Sequence, residues 1–323
     1  MDLNLFIKQI KSLESIKRKI RLFHIMENVQ SLSFKSQFIY KGMGEDSASI
    51  YIPHLSENIL ILLTTDSINE TFCSNFPWSA GFSSILVCLE DINACGGYPI
   101  AASINVSTNK QQIQKEILNG ILSASQKFRI PIIRGHTSDE TSNVGITSTI
   151  IGYISKEDYI SAGNAKINDE ILLIYDSNGR PAKSNKFYWD TVTYKSSDEI
   201  LNKFEFMQNL AKKHLANAAK DISNGGLFGT LILMLKYSNV GANIILNNIE
   251  IPKILKDLNY SLLDFVSMYL TTSYLITSSQ FNVNEIKKLA RIYELECYSI
   301  GNIIQKKQVI LTYDNQSEIA WEF

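Results

Sequence analysis

The run NILILLTTD, residues 58–66, is unbroken apolar sequence of strand length that closes on a carboxylate. A strand buried on both faces calls for such a run, because neither face alternates with polar side chains. Working outward, Ser79 to Asn93 reads as a helix with Ile85, Leu89 and Ile92 on one face, stopped by Gly96-Gly97 and Pro99. Ile100 to Val106 is then a strand, and Lys110 to Phe128 an amphipathic helix with Ile113, Ile117 and Ile121 on one side. RIPIIRG (129–135) and VGITSTIIGYI (144–154) are two more strands. Upstream, FIYKGMGEDSASIYI (38–52) places two short β-rich pieces around a turn at Gly42 to Gly44. Residues 3–27 carry Leu3, Phe6, Ile10, Leu13, Ile16 and Ile20 at helical spacing, with Lys17, Arg18 and Lys19 as a basic knot.

The polar stretch Ser155 to Asn168 reads as a linker, after which Asp169 to Tyr175 opens a second alternating unit. A helix from Glu199 to Ala219, another after Gly225-Gly226, and a third from Val283 to Tyr293 are expected there. Strands are expected near Ala242–Leu246, Ser273–Thr277 and Val309–Thr312. The fold class is therefore α/β (α+β), with two units over residues 1–155 and 156–323.

Composition narrows the function classes. With 31 Lys+Arg against 32 Asp+Glu among 323 residues, the net charge of -1 argues against a general binder of the phosphate backbone, so no nucleic-acid partner is expected. No apolar run approaches the ~18 residues of a bilayer span, and the charged N-terminus lacks a signal-peptide layout, which predicts a cytoplasmic protein without membrane contact. The four cysteines form no CxxC pair and are expected as buried free thiols.

Three segments carry chemistry. Glu45, Asp46, Asp66 and Asp91 each stand near a Gly or Thr turn. Singly, each reads first as a cap or turn residue; together they read equally as the hard oxygen ligands that Mg²⁺ prefers. RGHTSD (134–139) offers backbone N–H groups at a small residue, hydroxyls and a flanking Arg to a phosphate or other polar ligand, although His136 is also readable as a loop residue bonded to backbone. KDISNGGL (220–227) is either a capped helix start or a ligand loop, with the Gly pair allowing close approach. Neither GxxxxGK[ST] nor GxGxxG occurs, so no P-loop or dinucleotide fingerprint is present.

In this order GEDSASI (44–50), TTD (64–66), LEDINACGGYP (89–99), GHTSD (135–139) and KDISNGGL (220–227) resemble the AIR synthase superfamily, and most closely its AIR synthase-related branch. That superfamily includes thiamine-monophosphate kinase and selenophosphate synthetase. The resemblance implies an N-terminal domain that pairs with its copy into a dimeric β-barrel, a C-terminal α/β domain, and ATP in the cleft between them. It also implies Mg²⁺ on Asp46, Asp66 and Asp91, with Glu45 standing where relatives often have Asp. It assigns Gly44, Gly135, Thr137 and Ser223 to the nucleotide and gives His136 and Asp221 catalytic roles. Lys17 is the implied phosphate contact and catalytic cation; a solvated helix face is its other reading. Absence of a cysteine in a Gly-rich N-terminal segment and of a C-terminal cysteine, with a single Asp in KDISNGG, departs from several members. The function so implied is an ATP- and Mg²⁺-dependent phosphotransferase or phosphate-activating ligase, homodimeric, acting on a small molecule held by the 176–195 loop and the C-terminal half. The alternative is a nucleotide-binding scaffold that has lost turnover, suggested by Glu45 and by TTSYLI (271–276).

Overall fold

The structure is a computed structural model that describes residues 1–32, 36–42, 44–52 and 58–323; Met43, in the expected turn, lies outside them. Two helices, α1 (Leu3–Ser12) and α2 (Glu14–Leu32), precede the first sheet. Six strands form that sheet: β1 (Ile39–Lys41), β2 (Ala48–Ile50), β3 (Ile59–Ile68), β4 (Tyr98–Ser107), β5 (Ile132–Ser138) and β6 (Gly145–Ser155). Their spatial order is β1-β2-β3-β6-β4-β5, antiparallel throughout except for the β4–β5 pair. Helices α3 (Glu70–Asn75), α4 (Pro77–Ala94) and α5 (Gln111–Phe128) belong to this half.

The second sheet starts with β7 (Glu170–Tyr175), followed by a small ribbon of β8 (Arg180–Pro181) and β9 (Tyr188–Asp190) and by helix α6 (Ser197–Lys212). Next come β10 (Ala218–Asp221), α7 (Gly226–Ser238), β11 (Gly241–Ile245), α8 (Lys253–Asp257) and α9 (Leu262–Ser267). Strand β12 (Tyr269–Leu270) joins the ribbon, and β13 (Ser273–Ser278), α10 (Val283–Ile292), β14 (Glu296–Ile304), β15 (Gln308–Tyr313) and β16 (Gln316–Glu322) complete the chain. The seven-stranded order is β10-β13-β7-β14-β11-β15-β16.

Several expectations change here. The single helix over 3–27 breaks at Leu13, whose N–H bonds back to the Ile10 carbonyl. Leu3, Phe6, Ile7, Ile10 and Ile16 are buried in the core of the seven-stranded sheet, so the chain's first helix belongs physically to the second half. Strand β3 is not covered on both faces: Leu60, Leu62 and Thr64 are buried beneath α4, whereas Leu63 is 43% exposed. The outer face of this sheet carries the exposed side chains of Leu63 and Tyr153. Its end strands β1 and β5 do not meet, so among the described residues no closed barrel forms within the chain. The segment GHTS continues strand β5 instead of forming a loop, and the expected helix over 199–219 ends at Lys212, giving way to β10.

Helix α4 is pinned by two close approaches. A Cβ on Gly81 would stand 2.0 Å from the Ile117 carbonyl oxygen of α5, and one on Gly120 2.0 Å from the Trp78 carbonyl oxygen. No larger side chain fits either crossing point, and the tight α4–α5 contact fixes where α4 presents Asp91.

Candidate active site

Asp46 follows Gly44, whose φ of +103° is a conformation that a side chain resists. A Cβ on Gly44 would also lie 2.7 Å from the Tyr237 ring. This turn delivers Asp46 to the second half, where its carboxylate accepts from Lys220 Nζ and from the Asp221 N–H at 3.3 Å. Asp91 comes from the last turns of α4 and accepts from Thr64 Oγ1 of β3. Asp221 ends β10. Oxygens of Asp46, Asp91 and Asp221 all lie within 4.8 Å of one another. Asp66, two residues beyond Thr64 on the same face of β3, sets its carboxyl beside that of Asp91.

Two lysines enter this cluster. Lys220 is buried on β10, and Lys19 extends from α2 to donate to Ser223 Oγ at 3.0 Å and Thr230 Oγ1 at 3.4 Å. Gly225 and Gly229 leave room for it, since a Cβ at either would touch Lys19 Cδ at 3.5 and 3.4 Å. Gly225 and Gly226 take φ values of +94° and +61°, and a Cβ on Gly226 would meet the Val266 carbonyl oxygen at 2.1 Å. The glycine pair of KDISNGG is thus required by conformation and by space.

Burial and mutual repulsion set the charges. Burial pushes the Asp91 carboxyl far above the usual carboxylate range, with Asp66, Asp221 and Asp46 adding to the rise. Asp221 is lifted to about 7, first by burial and then by Asp46. Burial raises Asp66 too, and its contact with Asp91 draws it partly back. Burial lowers the Lys19 ammonium to about 8, against the pull of Asp221. On Lys220 burial again opposes the charge, yet Asp46 and Asp221 outweigh it and the group stays protonated more firmly than a free lysine. Four carboxylates against two ammonium groups leave an excess of two negative charges when all are ionised, which one divalent cation cancels. The donor set, hard oxygens at metal-binding separations, fits Mg²⁺.

The remaining sequence candidates sit elsewhere. Glu45 turns from the cluster to the linker, where Ser161 Oγ and the Ala162 N–H, at 2.5 and 2.7 Å, take up its two oxygens. Lys17 is exposed on α2; helical geometry turns it away from the stripe of Ile16, Lys19 and Ile20 that faces the core. Gly135, His136 and Thr137 are exposed on β5, the far edge strand. Gly135 is in register with Ile104, then Ser148, then Asp66, three strand spacings or roughly 14 Å across the sheet. They therefore do not join the cluster of their own chain. Lys19 was legible as the lysine at i+3 from buried Ile16, and Lys220 as a cation set between apolar and acidic residues of one strand.

A second feature adjoins the cluster. A cavity of about 670 Å³ lies between α3–α4 of the first half and the β8–β9 ribbon of the second. Arg18, Ser67 and Asn224 line it, and each is the chain neighbour of a cluster residue: Lys19, Asp66 and Ser223. The 176–195 segment forms much of its far wall.

Two mixed α/β halves that place acids from both at one point define a fold class. Residues 44–154 match the AIR synthase related protein, N-terminal domain, and residues 178–314 match its C-terminal domain. The chain belongs to the AIR synthase related family. It is 31% identical to the uncharacterised protein MJ0640 of Methanocaldococcus jannaschii, over all of this chain and 98% of that one. It is 28% identical to thiamine-monophosphate kinase of Buchnera aphidicola subsp. Schizaphis graminum, over 87% of this chain and 90% of that one. Among solved structures, AaThiL complexed with AMPPCP and TMP superposes with a TM-score of 0.67 at 16% identity, covering 91% of this chain and 93% of that one. PurL of Thermotoga maritima complexed with ADP gives 0.72 at 14% identity, covering 87% of this chain but 45% of that longer one.

Proposed function

We propose that the chain binds a magnesium nucleoside triphosphate at the Asp46–Asp91–Asp221 cluster and transfers or activates phosphate on a small molecule. The observation that carries this reading is the convergence of three carboxylates within 4.8 Å, drawn from both halves of the chain. Relatives named for thiamine-monophosphate kinase, and structural neighbours holding ADP or AMPPCP, support it. Asp46, Asp91 and Asp221 would hold the metal, with Asp66 beside them. Bound there, Mg²⁺ supplies the positive charge that phosphate oxygens need as charge redistributes during transfer. Lys19 is the cation left for phosphate: its hydrogen bonds go to hydroxyls, whereas Lys220 is committed to Asp46. Ser223 and the backbone around Gly225 would border the same phosphates. The protein's share of the work is positioning and charge stabilisation.

Thermal-shift measurement tests the reading. A ligand that binds only the folded chain adds RT ln(1+[L]/Kd), about 2.7 kcal/mol at a hundredfold Kd, so millimolar Mg²⁺ with ATP should raise the melting temperature and EDTA should remove most of the rise. No shift with nucleotide and metal together overturns it. Binding without ATP consumption across a panel of small acids, phosphates and amines would instead favour the scaffold reading.

The active form in this reading is a dimer. On the open face of the first sheet Leu63 stands opposite Ile151 and Ile61 opposite Tyr153, with Leu63 43% and Tyr153 41% exposed. An unbroken apolar strand with one uncovered face is suited to a twofold partner that supplies the second cover. Gly135, His136 and Thr137 border that same sheet, and any role for them in the site involves the second copy.

A further inference from the structure

We infer that Lys220 is a built-in cation that fills one of two cation places in the acid cluster, so that the chain by itself takes up a single divalent metal there. This deepens the reading of the cluster as a Mg²⁺ site and rests on it, but it needs no nucleotide.

The Lys220–Asp46 pair is out of water, its side chains 6% and 4% exposed. A surface ion pair is often incidental, whereas a buried ammonium persists only where carboxylates offset its lost hydration. Here the acids that do so are the three proposed for the metal: Asp46 acts most strongly on the ammonium, then Asp221, then Asp91. Lys19 does not compete for this place, since its bonds go to the Ser223 and Thr230 hydroxyls. Buried lysines elsewhere are balanced differently. Lys195 and Lys203 converge on one carboxylate, Asp176, and Lys203 also donates to the Tyr293 and Glu294 carbonyls. There two lysines share one buried acid; in the cluster four acids face two lysines.

The second place lies at Asp66 and Asp91, whose carboxyls stand side by side. Neither forms an ion pair among the described residues; Asp91 accepts from the Thr64 hydroxyl at 2.5 Å. Ser148 of β6 is in register with Asp66, fully buried, and its hydroxyl has no hydrogen-bond partner among the described residues. Strand alternation puts Ser148 and Asp66 on the same face of the sheet as Thr64. Buried hydroxyls are nearly always paired, so this one calls for a polar group from outside the chain, and Mg²⁺ keeps several of its waters when bound. Asp46 joins the two places: Lys220 donates to Oδ1, while Oδ2, approached by the Asp221 N–H at 3.3 Å, retains capacity for the metal. With the four acids ionised, Lys19 and Lys220 leave an excess of two negative charges, which one divalent cation cancels. Without the Lys220 charge the excess is three, more than one such cation cancels. The ammonium also ties the Gly44 turn of the first half to β10 of the second, so the metal meets a site already assembled.

The test counts Mn²⁺, which oxygen-lined Mg²⁺ sites accept, by electron paramagnetic resonance of the full chain without nucleotide. Wild type should bind one Mn²⁺ and Lys220→Met two, and Mn²⁺ should raise the melting temperature of the variant more than that of wild type. Lys220→Gln keeps a hydrogen-bond donor toward Asp46 but not the charge, so it should also bind two and decides the matter if Lys220→Met does not fold. Adding Asp46→Asn to either variant restores the excess of two negative charges and should return the count to one. Two Mn²⁺ or none on wild type overturns the inference. So does an unchanged count in a folded variant that lacks the Lys220 charge, the result a merely structural ion pair would give. Expected counts without any melting shift from MgATP would strike the nucleotide reading alone. A shift from MgATP in a wild-type chain that holds two Mn²⁺ would strike this inference alone.

Discussion

Lys17 and Lys19 stand two residues apart on one helix and have opposite surroundings. Lys17 points into solvent, while Lys19 reaches Ser223 and Thr230 with its ammonium lowered to about 8 by burial. A hydrogen bond to a charged group contributes about 1.5–3 kcal/mol, so Lys19→Met should weaken MgATP binding by roughly 10- to 100-fold and Lys17→Met should leave it unchanged. Equal effects from the two, measured by calorimetry, would remove Lys19 from the phosphate site. The neighbouring acids make a pH prediction. Between the ordinary carboxylate value near 4 and the value of about 7 for Asp221, the folded chain holds protons that the unfolded chain has released. Stability falls with rising pH wherever the folded state binds more protons, so these groups should lower the melting temperature of metal-free protein between about pH 5 and 7.5. Asp91, raised by burial and by its acidic neighbours, adds in the same direction. Millimolar Mg²⁺ should flatten the slope; a metal-independent profile would mean that the carboxylates do not share a cation.

Helix α4 ties the two halves together through an acid that sequence patterns did not single out. Glu90 is 1% exposed and accepts from the Tyr269 hydroxyl at 2.9 Å and the Thr272 N–H at 2.6 Å. Thr272 has φ +52°, an unfavourable region for a β-branched residue, and its N–H bond to Glu90 helps to hold it there. The unusual TTSYLI segment is thus a strained two-residue turn, Thr271–Thr272, docked on α4 and running on into β13. Burial raises the Glu90 carboxyl to about 8, so at pH 7 it is mostly neutral. Glu90→Gln should therefore change stability by less than about 1 kcal/mol, since an amide keeps one acceptor and adds a donor for Tyr269. Glu90→Ala leaves two buried donors unpaired and should lose about 2–4 kcal/mol. Denaturant melts that rank the two variants equally would show that Glu90 bears no such junction.

At the scale of the molecule, the outer face of the first sheet, with Leu63 and Tyr153 exposed, is where the proposed dimer is tested. Light scattering at micromolar concentration should give about 73 kDa, twice the 36.5 kDa of the chain. Leu63→Glu, which sets a charge in the middle of that face, should give the single-chain mass with little loss of secondary structure, because Leu63 contributes nothing to the covered core. A wild-type monomer would mean that the apolar face of β3 is covered by something other than a second copy.

Short-range chemistry settled much in advance. Helix α4 and helix α5, strands β3, β4 and β6, and the glycine turns before Asp46 and after Asp221 were all readable, because strand and helix periods and positive φ are properties of a few adjacent residues. Direction and partnership were not. Glu45 and Asp46 are neighbours, yet one carboxylate closes on the linker and the other on Lys220, according to which distant backbone each meets. GHTS looked like a phosphate loop and became an edge strand, because parallel pairing with β4 extends through it. The cavity has no sequence signature at all, since its aromatic wall comes from residues 72–82 and its cations from positions 18, 180 and 183. Local pattern fixes where a side chain stands along its own element; only packing of elements far apart in the chain decides what it faces.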